Sequence, residues 1–184
     1  MGFTLKHYIK SYSHPQINNK PGIDVGEDAL LTENYIVNNI KNLHTNCIQP
    51  IVDLMGEGNL IITSGYRCKE LNEKIGGVSN SHHTLGAAAD IVSIGYPSAT
   101  LFNLIYQNVS SFNQLIWEYP ERGNYSQYRP NHSWVSISYL EGNNPRTVSM
   151  ASERDDLHEM YETEDTCRIG NYTHGISFAE NNLV

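Results

Sequence analysis

Arg67, His83 and Asp90 lie in one stretch, TSGYRCKELNEKIGGVSNSHHTLGAAADI, that is denser in chemically able side chains than any other part of the chain. An imidazole nitrogen and a carboxylate oxygen are both good zinc donors, and Gly86 between His83 and Asp90 supplies the bend that would bring the two to one ion. Hydrolysis on zinc needs three such protein ligands and one open position, where the metal lowers the pKa of a bound water and polarises a carbonyl. On spacing alone His83 and Asp90 are either two ligands of such a site or unrelated neighbours. A second stretch, SWVSISY at 133–139, bears on which it is.

The elements that must position these residues can be read from periodicity. Residues 1–30, rich in Asn, Pro and Gly, read as an irregular N-terminal arm with a short helix at TLKHYIKS. From Thr32, a plausible N-cap, apolar residues recur at Ile36, Ile40, Leu43, Cys47 and Ile51, the spacing of a long helix with one buried face. Pro50 should kink or break it, because it removes a backbone donor. NLIITSGY reads as a strand, RCKELNEKI as a short helix stopped by Gly76 and Gly77, and AAADIVS as another strand. Ser98 is expected to cap a helix running to about Val109, and QLIWEY, SWVSISY and RTVSM read as further strands. The pattern predicts an α+β domain over 31–150, with helices on one side of a small antiparallel sheet.

Composition narrows the function classes. A chain of 184 residues with 39% hydrophobic residues can build one buried core. No run of apolar residues is long enough to span a membrane, and the first residues lack the pattern of a secretory signal, so a soluble protein without membrane partners is expected. Cys47, Cys68 and Cys167 form no CxxC pair and are read as reduced thiols. The net charge of −8 is concentrated in ERDDLHEMYETED, 153–165, where seven acidic residues face one arginine. That balance argues against nucleic acid as a partner, since a polyanion needs a basic face. Residues 151–184 have too little apolar periodicity for a core of their own and read as an acidic C-terminal extension, either simply solvated or a docking arm.

The order SGYR, LN, GG, then Ser81-x-His83-x-x-Gly86-x-Ala88-x-Asp90, followed by QLIWEY and WVSISY, resembles the signature of the zinc D-alanyl-D-alanine peptidases. These are cell-wall carboxypeptidases and phage endolysins that share their fold with Hedgehog signalling domains. The resemblance runs over roughly residues 2–150. It implies a Hedgehog/DD-peptidase-like fold, zinc as cofactor and bacterial peptidoglycan or its peptides as partner. By position it makes His83 and Asp90 the first two zinc ligands and Arg67 the cation that stabilises the developing oxyanion. Ser81 would support substrate or loop, Trp134 would border the substrate, and Glu118 would act as base or orient a ligand.

At one place the chain departs from that pattern. Where the family's strand reads Trp-Val-His, with the His as third zinc ligand, this chain reads Trp134-Val135-Ser136. A neutral hydroxyl is a poor zinc donor beside imidazole. The position three residues earlier, often a general-base carboxylate in the family, is Ser133. His132 lies four residues before Ser136, roughly 13 Å along an extended strand and too far without a bulge; His82 adjoins His83 and is the nearer substitute. Two readings follow. In the favoured one, the fold persists without catalytic metal as a structural or wall-binding component of a tailed-phage virion, its acidic extension contacting other virion proteins. In the other, the chain is an active zinc D,D-peptidase.

Overall fold

In the computed structural model, residues 2–22, 32–122, 132–142 and 146–151 are described. Five strands, β1 (Leu60–Ser64), β2 (Ala88–Ser93), β3 (Gln114–Glu118), β4 (Trp134–Ser138) and β5 (Thr147–Ala151), form one sheet in the order β1-β2-β4-β3-β5. The β1–β2, β2–β4 and β3–β4 pairs are antiparallel, as expected, but β5 lies parallel to β3. Strand alternation turns Ile62, Ile91, Val135, Leu115 and Val148 toward one hydrophobic cluster, which also takes Ile36, Ile40, Leu43, Ile51, Phe102 and Ile105 from the helices. The fold is α+β, with the mostly antiparallel sheet and helices read from the sequence.

Those helices are α1 (Leu5–Ile9), α2 (Glu33–Leu43), α3 (Gln49–Met55), α4 (Lys69–Lys74) and α5 (Ser98–Asn108). Thr32 caps α2 by accepting a hydrogen bond from the Tyr35 N–H at 3.2 Å. The chain stays helical across the expected break, with Leu43, His44, Ile48 and Gln49 all at right-handed helical angles. Residues His44–Ile48 wind as a π-helical turn, and Pro50 then sits in the first turn of α3, where its missing N–H costs nothing. The α4 helix ends at Ile75 and Gly76, whose φ of 76° only glycine adopts freely.

One expected cap is corrected. Pro97, not Ser98, stands before the first turn of α5, and its carbonyl accepts from the Leu101 N–H. The Ser98 hydroxyl turns inward instead and lies 3.3 Å from the Trp117 indole nitrogen, which donates to it. Cys47 and Cys68 are buried thiols outside any disulfide, and Ala151, expected in the extension, ends β5; Cys167 and the rest of the acidic extension lie outside the described residues. Among the described residues no helix is long and apolar enough to cross a membrane.

The face of the sheet opposite the core carries the polar residues, and register sets them in rows. Asp90 pairs with Ser136 and Ser136 with Ile116; Ala88 pairs with Ser138 and Ser138 with Gln114; Glu118 pairs with Trp134. These rows floor a cleft of about 760 Å³. Its opposite wall comes from the N-terminal arm and from the loop between α4 and β2, including Tyr12 and Val78.

Candidate active site

The segment 64–68 is built into place from three directions. A shift in the β1–β2 register beyond Ile62 aligns Ser64 with Asp90, so both reach the cleft side of the sheet. The arm then clamps the chain that follows: the Tyr66 N–H donates to the Tyr8 carbonyl at 2.7 Å. Buried Asn19 donates to the Tyr66 carbonyl and accepts from the Cys68 N–H, both at 2.7 Å. Gly65 has no room for a side chain, since a Cβ there would come within 2.4 Å of the Tyr8 carbonyl oxygen. Arg67, between these anchors, emerges with its Nε donating to the Ser64 hydroxyl at 2.9 Å.

His83 enters from a 3-10 turn at His82–Leu85. Ser81 caps that turn, its hydroxyl accepting from the His83 N–H at 3.3 Å and its carbonyl from the Thr84 hydroxyl at 2.7 Å. Gly86 closes it at φ 71°, where a Cβ would strike the Ile36 carbonyl at 2.7 Å. Ser81 thus supports the loop, and it also lines the cleft.

The imidazole of His83 is fixed through Nδ1, which donates to the Gly65 carbonyl at 2.7 Å; a carbonyl only accepts, so this nitrogen carries the hydrogen. Nε2 is left facing Asp90 Oδ1 at 3.3 Å. Two donors each about 2.0–2.1 Å from a tetrahedral zinc stand roughly 3.3–3.4 Å apart, so the separation is that of two ligands sharing an ion. A ring anchored through its other nitrogen to a backbone carbonyl is also how ligating histidines are held. Without a cation between them, a lone pair would face a carboxylate; the contact is attractive only with a proton on Nε2 or a metal in the gap.

Arg67 lines the cleft, and its guanidinium is engaged there. Its Nη2 is hydrogen-bonded to Asp90 Oδ2, making an ion pair with both side chains largely buried. Burial by itself would raise the Asp90 pKa, but the charges of His83 and Arg67, with hydrogen-bonding support from His83 and Ser136, outweigh it and hold the carboxyl well below its usual range. Glu118, one row further along β3, goes the other way. Burial and then the Asp90 charge push its carboxyl up to about 8, against the opposing pull of Arg67 and Arg122. One carboxyl is therefore a permanent anion and the other a neutral acid at pH 7.

Ser136 is 8% exposed and pairs with Asp90, so it sits beside the two candidate ligands where the resemblance puts the third. Ser133, fully buried, is structural: it accepts from the Trp117 indole and donates to the Glu118 carbonyl, each at 2.8 Å. His82 lines the cleft with Nδ1 2.9 Å from the Ser138 hydroxyl, a row away from Ser136. His132 lies at the other end beside Trp134, ring centroids 6.4 Å apart. Trp117 is buried core, whereas Trp134 lines the cleft. Sequence reasoning missed Gly65, Asn19 and Ser64, whose parts depend on contacts far apart in the chain; only the glycine closing a strand gave any local signal.

A family model described as Peptidase M15 matches residues 20–121, more than half of the chain. The chain belongs to the peptidase M15 family. The matched residues include Arg67, Ser81, His83, Asp90 and Glu118 and end before β4, which carries Ser136. No curated protein matches the chain. M15 peptidases are zinc enzymes, and the donors of this member can be tested against that metal. His83 Nε2 and Asp90 Oδ1 fit; the residue completing the row is a neutral serine. Among the described residues no group of three or more His, Cys, Asp or Glu is placed to hold a metal ion. Among the described residues the donor set is one ligand short of a catalytic zinc site.

Proposed function

We propose that this M15 family member is a wall-peptide-binding protein whose cleft grips bacterial cell-wall peptides without hydrolysing them. The observation that carries the reading is Ser136 in register with Asp90. The scaffold for two ligands is kept, and the third place holds a side chain that does not bind zinc well. The remaining groups suit recognition. Glu118, neutral at pH 7, donates a hydrogen bond to a peptide carbonyl; Ser136 offers a hydroxyl; the Arg67–Asp90 pair gives a rigid, mutually neutralised floor. Trp134 borders the bound chain. Arg67, the oxyanion residue of an active relative, here chiefly holds Asp90.

Titrating the protein with a synthetic stem peptide ending in D-Ala-D-Ala, with calorimetry for binding and mass spectrometry for cleavage, tests this. Saturable binding with intact peptide after overnight incubation in zinc is the expected result; released D-Ala would overturn the proposal. The competing reading, an active zinc D,D-peptidase with Glu118 as base, is favoured by the 3.3 Å His83–Asp90 spacing and the anchored Nδ1. It needs a further donor that the described residues do not supply.

The place of action belongs to the same proposal: a soluble component of a tailed-phage particle, present in the host cytoplasm during assembly, with residues 151–184 docking other virion proteins. Its support is the phage-like signature and the acidic run at 153–165. Removing residues 152–184 should abolish incorporation into particles while leaving peptide binding intact. Unchanged incorporation would sink the docking function.

A further inference from the structure

Next to Glu118 the cleft ends in a group of rings, of which the peptide reading uses Trp134 alone. Tyr119 is the one non-glycine residue among those described with a positive φ, at 51°. Its N–H is held by the Ala151 carbonyl at 2.6 Å, which fixes the chain in this uncommon conformation. The twist takes the Tyr119 side chain out of the β3 alternation and sets its ring against Trp134, centroids 5.0 Å apart at 53°. The Arg122 guanidinium lies 3.8 Å over the Tyr119 ring and 6.0 Å from that of Trp134. Tyr119, His132 and Trp134 all line the cleft.

Aromatic rings held at an angle make a corner with flat apolar walls, and the Trp134 indole adds one N–H donor at its edge. The Trp134 Nε1–H is buried and has no hydrogen-bond acceptor among the described residues. A buried donor left unpaired is costly, and an acceptor that reaches it removes that cost. The ligand that matches is a ring with an apolar C–H face and neutral acceptors around it. A flat hydrocarbon would leave the indole N–H unused.

We infer that the Tyr119–Trp134–Arg122 corner is a binding subsite for an N-acetylated amino-sugar ring, the glycan side of the wall polymer whose peptide occupies the rest of the cleft. The inference rests on the cell-wall reading above and extends it from the peptide to the sugar. The sugar ring stacks on Trp134, its acetamido oxygen accepts from the Trp134 Nε1–H, and the peptide runs from there past Glu118 toward Ser136.

The chain has two tryptophans, so its indole N–H region in a nitrogen–proton correlation spectrum holds two signals, assigned with Trp134→Phe. Titration with the β-1,4-linked trimer of N-acetylglucosamine should move the Trp134 signal saturably and leave that of Trp117, in the core, in place. Tyr119→Ala should weaken this binding roughly three- to tenfold, the loss of one aromatic partner, while an unmoved Trp117 signal reports an intact fold. No shift at millimolar trimer, or an equal shift with maltotriose, would overturn the inference. Stem peptide binding without trimer binding would overturn the sugar subsite and leave the peptide reading standing. Trimer binding without peptide binding would uphold the subsite and remove the peptide reading.

Discussion

At the scale of single residues, two carboxyls in one cleft have been driven apart by their surroundings. Asp90 stays ionised because His83 and Arg67 outweigh its burial; Glu118 keeps its proton to about pH 8 because burial and the Asp90 charge are not overcome. In the unfolded chain Glu118 releases its proton near the ordinary value of 4.5. Between that pH and 8 the folded state therefore binds more protons, and stability falls as pH rises. Glu118→Gln, which cannot titrate, should flatten that decline and gain roughly 4 kcal/mol on the parent between pH 5 and pH 9. Urea midpoints at pH 5, 7 and 9 check this. Parallel pH curves for the two proteins would mean that Glu118 titrates normally.

At the scale of elements, the site depends on the arm being pressed onto the turn after β1. Gly65 is the contact point: its carbonyl anchors His83, and its missing side chain lets the Tyr8 backbone approach. Gly65→Ala forces one of them to move, and denaturant unfolding should show a loss of about 1–3 kcal/mol, the usual cost of overpacking. The His83 ring signals should shift as well. Gly58→Ala is the control, a glycine at φ 83° with open space around its Cβ position. It should cost about 1 kcal/mol of backbone strain and leave the His83 ring undisturbed. Equal effects on that ring would remove the arm from the account. The strands were legible because each is a short run rich in β-branched and apolar residues, and the Thr32 cap and the Gly76 stop because their chemistry is local. The π turn before Pro50, the parallel β3–β5 pairing and the Asn19 clamp were not, since each is decided by packing between segments distant in sequence. In the site, the common location of His83 and Asp90 was legible from their spacing and flanking motif. The anchoring of His83 by Gly65 and the pairing of Arg67 with Asp90 required the fold.

At the scale of the whole molecule, the fold is that of a family that cuts peptides on zinc, and its sheet still brings two ligand-type residues to the spacing a metal would impose. The seven acidic residues at 153–165 carry most of the net charge of −8, so little is left on the rest of the chain to attract or repel a charged polymer. The cleft must then select its ligand by shape and hydrogen bonding. Everything in this account turns on the third place in the row of Asp90 and Ser136. The most direct test is the zinc content, by elemental mass spectrometry, of protein stripped with chelator and dialysed against zinc, with Ser136→His treated alongside. The account predicts far less than one zinc per chain in the parent and close to one in the variant. One tightly held zinc per chain in the parent would contradict it and make the protein a zinc peptidase with a ligand set other than the one assigned.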